Sequence, residues 1–579
     1  MYILGINAYH GDSSACLIKD GVLIAAAEEE RFRRIKHWAG FPSMSIEFCL
    51  MHAEISLSQV DHIAINQDPS ANLWRKIIFS LMTRPKIKMI FNRFKNKLMR
   101  LDVVKNLDVS KINTFFGKTH YVEHHLSHLS SSFFVSAFSK AAVLSVDGFG
   151  DFASTAWGIG SGKKILIDRK VFFPHSLGIF YQALTQWLGF LNYGDEFKVM
   201  GLAPYGKPIY LDKMRKIVQL KSDGSFTLNL KYFCHHKGHV KYEWDKGEPK
   251  VGILFSPALL ELLGPNRHKN DTLTQYHKDI ARSVQAMYEG AFFNLLNALY
   301  DRYKVKNLCL AGGCAMNSVA NGKIYDNTPF KKIYIQSAAG DAGGAIGAAF
   351  NIWHKLGGKR RFYMSHAYFG PHFSNDSIKK LLKKNEKELY KKSCSIKYIP
   401  NQNELCKLIA NKISKGKVVG WFQGRMEWGP RALGNRSILG DPRRKNMKDI
   451  LNLKIKRRES FRPFAPSILR EKVSDWFLND DDVPFMMQVF MVRKRKAIKI
   501  PAVTHVDFSG RLQTVTRESN PRYYQLIKEF HDLTGVPIIL NTSFNENEPI
   551  VCLPEEALNC FMRTKMDILV MQDFCIERV

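Results

Sequence analysis

Residues 2–27 read YILGINAYHGDSSACLIKDGVLIAAA, and the fold class can be inferred from this stretch. The apolar, β-prone run YILGINA is followed by the polar turn YHGDSS. Two further apolar runs flank the dipeptide Asp20-Gly21, which is typical of a tight hairpin turn. The stretch therefore predicts three strands in sequence, joined by two turns.

The same order returns in residues 141–173. AAVLSVD predicts a strand, GFGD a glycine-rich turn and STAWGIG a second strand. ILIDRKVFF, after the turn SGKK, predicts a third strand. Because a whole supersecondary pattern is repeated, we predict two related halves, each opening with a hairpin whose turn faces a common cleft.

Two glycine-rich turns between a strand and a helix follow, in NLCLAGGCAMNSVAN (307–321) and IYIQSAAGDAGGAIGAAFNIWHKLG (333–357). Backbone N–H groups in such turns can approach a phosphate. One such turn also serves helix packing, but two in succession indicate a nucleotide cleft. The Gly- and Pro-rich residues 357–374 then predict a boundary, so we expect domains at 1–357 and 358–579.

The composition limits the class of protein. A chain of 579 residues, 45% hydrophobic and 24% charged, is typical of a soluble globular protein with two or more domains. The sequence has no apolar run long enough to span a membrane and no secretory signal. Its ten cysteines form no CxxC pair. We therefore expect a cytoplasmic protein with free thiols.

The net charge is unusual, because 85 Lys and Arg residues against 53 Asp and Glu residues give +32. Such an excess attracts phosphates, nucleic acid or anionic lipid. The densest basic region, residues 75–105, interleaves Lys and Arg with Ile, Phe, Leu and Met. Two interpretations stay open: a solvated insertion packed on the main domain, or a basic amphipathic segment that contacts a membrane surface or an acidic partner.

A candidate metal site comes from VEHHLSHLSSSFF, where His124 and His128 are spaced to share one side of a helix. Asp147 ends the strand AAVLSVD and Asp341 lies in the second glycine turn. Two imidazoles and two carboxylates suit a divalent transition ion. The alternative is a pair of capping or core histidines near ordinary loop aspartates.

His10 and Asp12 lie in the first turn, opposite the same predicted cleft. A neutral imidazole there could take the proton of a hydroxyl that attacks a carbonyl. Turn aspartates often serve only local hydrogen bonding, so Asp12 by itself indicates little.

The C-terminal region is rich in arginines that lie beside Gly, Pro, Phe and Trp. Guanidinium groups bind phosphate oxygens bidentately, and Asn, Thr or Ser side chains can orient a planar carbonyl. The alternative is a basic surface. The candidates are Arg425, Arg431, Arg436, Lys456, Arg457, Arg458, Arg462, Arg511, Asn541, Thr542 and Ser543.

These motifs together resemble the O-carbamoyltransferase family that includes tobramycin, cephamycin and nodulation-factor carbamoyltransferases. The resemblance runs in order through nearly the whole chain. It is carried by GINAYHGDSSACLI, EEERFRRIKH, EHHLSH, VLSVDG, KVMGLAPYG, LAGGCAMN, GDAGG, GPRALGNRSIL, RPFAPS and LNTSFN.

The resemblance implies a mixed α/β and α+β protein. An N-terminal actin-like (ASKHA) duplicated α/β domain would precede a C-terminal YrdC-like α/β domain. The C-terminal domain would join carbamoyl phosphate to ATP, giving carbamoyl-adenylate and pyrophosphate. The N-terminal domain would then pass the carbamoyl group to a hydroxyl of a small-molecule or sugar acceptor, and AMP would leave. The implied cofactors are ATP, Mg²⁺, and Fe²⁺ or another divalent metal.

The resemblance also implies site residues. A metal would be held by His124, His128, Asp147 and Asp341. The adenylate would contact Lys36, Gly313 and Asn317. The carbamoyl phosphate would be bound by Arg431, Lys456, Arg462, Arg511, Asn541 and Ser543. His10, with Asp12 and Lys36, would act in catalysis.

Two alternatives come from other classes. One is a tRNA-modifying threonylcarbamoyl-type or nucleic-acid-binding protein, favoured by the charge of +32. The absence of an aromatic–basic stacking platform argues against nucleic acid. The other is a non-catalytic protein on a sugar-kinase-like scaffold, against which the complete charged sets argue. The acceptor is not identified, and peripheral membrane contact and a homodimer stay open.

Overall fold

The computed structural model describes residues 1–83, 115–237, 240–244, 247–456, 459 and 461–578. The chain divides into two compact units, Met1–Met364 and Ser365–Val579. Beyond residue 83 the basic segment predicted at 75–105 lies outside the described residues, as do Arg457 and Arg458. No helix in the described part of the chain is long and apolar enough to cross a bilayer.

The N-terminal unit alternates strands and helices. Its strands are β1 (Tyr2–Asn7), β2 (Ser14–Lys19), β3 (Val22–Glu28), β4 (His62–Ile65), β5 (Lys118–Tyr121), β6 (Lys140–Gly150), β7 (Ala153–Ser161), β8 (Lys164–Phe172), β9 (Val218–Leu220), β10 (Phe226–Leu228), β11 (Tyr242–Glu243), β12 (Lys250–Val251), β13 (Asn307–Ala311) and β14 (Lys332–Ile335). Its helices are α1 (Glu30–Arg33), α2 (Ser43–His52), α3 (Leu73–Thr83), α4 (His124–Phe133), α5 (Leu177–Trp187), α6 (Glu196–Leu202), α7 (Leu211–Ile217), α8 (Pro257–Leu263), α9 (Gln275–Tyr303), α10 (Ser318–Gly322), α11 (Ile324–Asn327) and α12 (Gly343–Lys355).

Two five-stranded sheets of this unit share one topology. The first has the order β3-β2-β1-β4-β5 and the second the order β8-β7-β6-β13-β14. In each sheet the first three strands pair antiparallel and the last two join in parallel. The repeated strand–turn pattern of the sequence therefore corresponds to a duplicated α/β architecture of the actin-like type.

The hairpin predicted at Asp20-Gly21 joins β2 to β3. The φ angles of Asp20 and Gly21 are 51° and 81°. Two successive positive φ values are the mark of a type I′ turn, whose twist matches that of the flanking strands. This turn sets the register that pairs Lys19 with Val22.

Helix α12 packs closely against both the first sheet and α4 through two glycines. A Cβ on Gly5 would lie 2.1 Å from the carbonyl oxygen of Ala345, and one on Gly347 would lie 1.7 Å from that of Ser127. Both distances are well inside van der Waals contact, so only glycine permits this packing. The packing holds the turn before α12, with Asp341, beside the histidines of α4.

The C-terminal unit is built on one sheet with the order β15-β24-β23-β16-β17-β22-β18-β21. Its strands are β15 (Cys394–Tyr398), β16 (Val419–Phe422), β17 (Arg436–Gly440), β18 (Ala465–Leu469), β19 (Phe490–Met491), β20 (Ser509–Gly510), β21 (Gln513–Val515), β22 (Ile538–Ser543), β23 (Ile568–Met571) and β24 (Phe574–Arg578). Its helices are α13 (Asn375–Lys384), α14 (Glu386–Lys391), α15 (Gln402–Ser414), α16 (Met447–Leu451), α17 (Val473–Trp476), α18 (Lys494–Ala497), α19 (Pro521–Thr534) and α20 (Pro554–Arg563). The sheet mixes parallel and antiparallel pairs.

The fold class predicted from the sequence is confirmed: a duplicated actin-like α/β unit precedes a separate α/β domain with a mixed sheet.

Candidate functional site

Helix α4 carries the two predicted histidine ligands one turn apart. It begins after Glu123, whose carboxylate accepts a hydrogen bond from the backbone N–H of Leu126 and so caps the helix. The backbone N–H of His124 donates to the carboxylate of Asp151 at 2.8 Å. His124 and His128 are both buried, and their spacing turns both imidazoles to the same side.

The structure brings the four predicted metal ligands together. Nε2 of His124 lies 2.9 Å from Oδ2 of Asp147 and 3.0 Å from Nε2 of His128. Oδ1 of Asp341 lies 3.5 Å from Nε2 of His128. One ligand atom of each residue lies within 4.8 Å of all the others. We call these four residues the His–Asp cluster.

This geometry fits a divalent ion. Atoms bound at about 2.1 Å to one ion lie roughly 3.0–3.4 Å from one another, which is close to the spacing in the His–Asp cluster. Two imidazole nitrogens and two carboxylate oxygens are donors that suit a transition ion such as Fe²⁺. Asp341 is the least buried of the four side chains.

The electrostatics of the His–Asp cluster favour positive charge at its centre. Burial alone would lower the pKa of His128, but hydrogen bonds with Asp147 and Asp341 outweigh it and raise the pKa to about 9. Burial would raise the pKa of Asp147, but hydrogen bonds from His124 and His128 hold it well below its usual range. A bound cation would meet the same demand.

His10 lies at the edge of the His–Asp cluster. Its Nδ1 is 3.8 Å from Oδ2 of Asp341, and its ring stacks on that of His124 with 5.5 Å between centroids. The side chain is only 15% exposed. The structure thus places the predicted catalytic histidine beside the predicted metal ligands.

Asp12, also predicted to act in catalysis, pairs with a histidine that the sequence analysis missed. Oδ1 of Asp12 lies 2.7 Å from Nδ1 of His37. Burial would lower the pKa of His37, but the charge and hydrogen bond of Asp12 raise it to about 9. Lys36 precedes His37 in the same turn and is exposed. This pair lies 25 residues apart in sequence, so no local pattern indicated it.

Gly313 and Asn317, the predicted adenylate contacts, lie on the other side of Asp147. The backbone N–H of Gly313 donates to Oδ1 of Asp147 at 2.9 Å. The Asn317 side chain caps α10 by accepting from Ala320 N and exchanges hydrogen bonds with Gln285. Gln285 is fully buried on α9. Its role could not be predicted from the sequence, because a single glutamine in a long helix forms no motif.

In the C-terminal unit Lys456 and Ser543 are in contact. Lys456 ends a short π-helical turn, a feature often found at functional sites. Its Nζ donates to the carbonyl oxygen of Ser543 and to Oδ1 of Asn545, at 2.7 Å for the latter. Backbone and side-chain oxygens of Ser543 and Asn545 thus hold this buried ammonium.

Arg431 and Arg462 are electrostatic neighbours in the loops before β17 and β18. Burial, followed by the like charge of Arg462, lowers the pKa of Arg431 to about 10. Within the described residues Nε of Arg431 has no hydrogen-bond partner. Arg431 is half-buried, and a bound anion would offset the cost of desolvating its guanidinium. We call Arg431, Lys456 and Arg462 the basic cluster.

Asn541 lies on β22, between Leu439 of β17 and Ala465 of β18. Its Nδ2 lies 3.2 Å from both the carbonyl oxygen of Ala432 and Oε1 of Gln513. Asn541 therefore sits next to the loop that carries Arg431. Arg511, the last predicted ligand, lies two residues before Gln513. Gln513 was not among the residues predicted from the sequence.

Two of the predicted phosphate-binding arginines have another role. The Arg436 guanidinium is fully buried, donates to the carbonyl oxygens of Gln423 and Pro371, and lies 3.7 Å from the ring centroid of Phe422. Arg425 donates to the carbonyl oxygens of Phe369 and Gly370. Both arginines anchor the backbone around the basic cluster, so this geometry does not support the phosphate contact predicted for them.

The protein is a two-unit enzyme. Its duplicated actin-like unit holds the buried His–Asp cluster, and its separate α/β domain holds the basic cluster. Two family models identify its family: residues 2–350 match "Carbamoyltransferase N-terminus" and residues 410–578 match "Carbamoyltransferase C-terminus". The chain belongs to the carbamoyltransferase family and is a transferase, acting between a carbamoyl donor and an acceptor. The family match favours carbamoyl transfer over the tRNA-modifying alternative.

Curated relatives cover most of the chain. The uncharacterized protein sll1178 of Synechocystis is 42% identical over the whole chain and 97% of its own length. Nodulation protein NolNO of Sinorhizobium fredii is 37% identical over 99% of this chain and 80% of its own length. Nodulation protein NolO of Bradyrhizobium diazoefficiens is 39% identical over 79% of each chain.

Similarity to solved structures is weaker. HypF of T. kodakarensis is 14% identical with a TM-score of 0.32 and covers 62% of this chain and 48% of its own. The ROK hexokinase of Thermus thermophilus is 10% identical with a TM-score of 0.28 and covers 61% of this chain and 98% of its own. The strand order shared by the two five-stranded sheets is the evidence for the actin-like fold.

Proposed function

We propose that this carbamoyltransferase uses ATP and divides its reaction between its two units. The unit Ser365–Val579 makes carbamoyl-adenylate from carbamoyl phosphate and ATP. The unit Met1–Met364 then transfers the carbamoyl group to a hydroxyl of a small-molecule or sugar acceptor. The family membership supports carbamoyl transfer, and the opposite charge of the two clusters supports the division.

Adenylate formation in the C-terminal unit joins two anions. Water first attacks the phosphorus of carbamoyl phosphate and breaks its bond to the carbamoyl oxygen, giving inorganic phosphate and carbamate. A carbamate oxygen then attacks the α-phosphorus of ATP. Pyrophosphate leaves, so the atoms balance. Arg431, Arg462 and Arg511 would bind phosphate oxygens, and Asn541 and Ser543 would orient the planar carbamoyl group. Lys456 would hold the β22 backbone in place as well as contribute charge.

Transfer in the N-terminal unit breaks the bond between the carbamoyl carbon and the adenylate oxygen. The acceptor hydroxyl attacks that carbon, its proton goes to His10, and AMP leaves. The adenylate would contact Gly313, Asn317 and Lys36, and its phosphate would lie beside the glycine-rich turn that holds Gly313. The large AMP group supplies binding energy that a carbamoyl phosphate donor lacks, and this energy positions a weak electrophile.

A divalent ion, Fe²⁺ or another, fits the residues His124, His128, Asp147 and Asp341. When bound, it supplies positive charge that offsets the negative charge on the leaving AMP. Mg²⁺ would accompany ATP in the C-terminal unit.

The observation that carries the proposal is the convergence of four ligand atoms within 4.8 Å in the unit that also holds His10. The test follows pyrophosphate release from ATP and carbamoyl phosphate before any acceptor is added. We expect release only when both substrates are present, with AMP formed on addition of a hydroxyl-bearing sugar. Labelled carbamoyl phosphate should then carry its carbon into the sugar. Carbamoylated sugar formed without ATP would reject the proposal.

A further inference from the structure

Helix α3 presents an apolar face that is exposed among the residues that the structure describes. Leu73, Trp74, Ile77, Ile78 and Leu81 are all exposed, Trp74 by 78% and Leu81 by 72%. At 100° per residue these five positions cover about 140° of one side of the helix. Single exposed apolar residues are ordinary, but a contiguous set on one helix marks an interaction surface.

The opposite side of α3 is fixed to the N-terminal unit. Phe79 packs against Phe152 and Phe173, with ring centroids 5.7 Å and 5.0 Å away. The Arg75 guanidinium lies 4.8 Å from the ring centroid of Phe172. Lys76 donates to the carbonyl oxygen of Pro69. The helix is thus docked by its inner side, and no described residue covers its outward side.

Helix α3 is also tied to the His–Asp cluster. Nδ2 of Asn72, just before the helix, donates to the backbone oxygen of Asp151 at 2.7 Å. The carboxylate of the same Asp151 accepts from the backbone N–H of His124 at 2.8 Å. One residue therefore connects the start of α3 with the start of the histidine helix.

We propose that α3 docks this protein on the surface of an anionic lipid membrane. Its outward face offers hydrocarbon and an indole, the side chains that bury at the headgroup boundary, and α3 contains no acidic residue. The chain carries a net charge of +32, and the sequence after α3 continues the basic run to Lys105. This charge complements phosphate headgroups.

The size of the face argues against a protein partner, including a second copy. A helix of 11 residues is about 16 Å long and about 10 Å wide. Such a strip falls far short of the roughly 800 Å² that each partner buries in a stable protein interface. Insertion into a bilayer has no such requirement, because each apolar side chain that enters adds to the binding by itself.

Docking through α3 would hold the His–Asp cluster beside the membrane. One consequence for the acceptor then follows, and it rests on the proposed function. The acceptor hydroxyl would then belong to a molecule carried in the bilayer. The docking itself is independent of the reaction, so the two can fail separately.

The test is flotation of the full-length protein with vesicles of phosphatidylcholine containing phosphatidylglycerol, compared with phosphatidylcholine alone. We expect binding to the anionic vesicles and a loss of at least tenfold in the bound fraction for Trp74→Ser/Leu81→Ser and for Ile77→Asp. Tyr390→Ser/Ile498→Ser, equally exposed at 83% and 79%, is the matched control and should bind as the unchanged protein does. The urea unfolding curve should be the same in all variants, which shows that the changes on α3 leave the N-terminal unit folded.

Three outcomes would overturn the proposal. They are no binding of the unchanged protein, equal binding of the α3 variants, and equal binding to neutral vesicles. Self-association that Trp74→Ser/Leu81→Ser abolishes, without vesicle binding, would instead assign the face to a second copy. Normal vesicle binding without pyrophosphate release would reject the proposed function and leave the docking intact.

Discussion

The His–Asp cluster and the basic cluster concentrate charge in opposite ways. The first gathers two carboxylates and two imidazoles whose pKa shifts favour positive charge between them. In the second, burial and the like charge of Arg462 lower the pKa of Arg431 to about 10, and the Lys456 ammonium lies on oxygens of Ser543 and Asn545. Each arrangement is costly when empty and is relieved by a ligand of the opposite sign.

Each cluster can therefore be assigned a ligand from its own charge. A cation suits the N-terminal unit and a phosphate-bearing anion suits the C-terminal unit. Damage to one cluster should then stop the reaction of its own unit and leave that of the other unit intact.

The largest effect is expected from removing both histidines of the His–Asp cluster. His124→Ala/His128→Ala leaves two carboxylates without imidazole ligands, so bound metal should be lost and carbamoyl transfer should fall by about a thousandfold. Pyrophosphate release should persist. Metal content by elemental analysis and transfer from supplied carbamoyl-adenylate are the measurements.

Asp341→Asn, which keeps the side-chain volume, should lower metal affinity by at least about tenfold. His120→Ala is the control, because His120 lies beside His62 on neighbouring strands away from the cluster. Full metal content in His124→Ala/His128→Ala would contradict the assignment of the His–Asp cluster as a metal site.

The complementary change is Arg431→Ala in the basic cluster. Loss of a half-buried guanidinium that binds phosphate should reduce pyrophosphate release by about a hundredfold. Transfer from supplied carbamoyl-adenylate should continue. Arg431→Lys should recover part of the rate, since it restores charge without the forked geometry.

Arg517→Ala, which removes an exposed arginine stacked on Tyr524, is the control and should release pyrophosphate at the normal rate. If Arg431→Ala stops transfer from the adenylate as well, the two clusters do not act separately.

The sequence predicted the scaffold of both units better than the roles of individual side chains. Alternating strands and the Asp20-Gly21 turn are local signals, and the structure has them where expected. His124 and His128 could be paired because helical spacing is local. Asp147 could be added because it ends the predicted strand AAVLSVD, and Asp341 because it lies in a glycine-rich turn that follows a predicted strand.

Long-range partners could not be read in the same way. Arg425, Arg431 and Arg436 share one motif, yet only the three-dimensional path of the chain turns two of them onto backbone carbonyls. Gln285 and Gln513 gain their roles from Asn317 and Asn541, which are distant in sequence. Such contacts depend on tertiary packing that residue type and spacing do not encode.

A smaller effect should come from His10, because its loss removes the proposed proton acceptor of the N-terminal unit and leaves the metal ligands in place. His10→Asn keeps a polar side chain beside Asp341 but removes the proton acceptor, so transfer should slow by roughly tenfold to a hundredfold. Metal content and pyrophosphate release should stay normal. A transfer rate equal to that of the unchanged protein would show that another group takes the proton.

The smallest effect concerns Asp12 and His37, a charged pair in the same unit that belongs to neither cluster. Asp12 raises the pKa of His37 from 6.5 to about 9 in the folded protein. A histidine with a raised folded pKa stabilises fully below its unfolded pKa, and the stabilisation is lost as pH rises through about 9. Asp12→Asn should therefore cost most near pH 6 and least near pH 10.

The side chains of Asp12 and His37 are 33% and 32% exposed, so solvent screening reduces the cost at pH 6 to about 1–2 kcal/mol in the free energy of unfolding. Asn tolerates the positive φ of 57° at this position, so the change tests charge and not backbone strain. Urea unfolding at the two pH values measures the difference. An equal loss at both would mean that the pair stabilises the turn through hydrogen bonding alone.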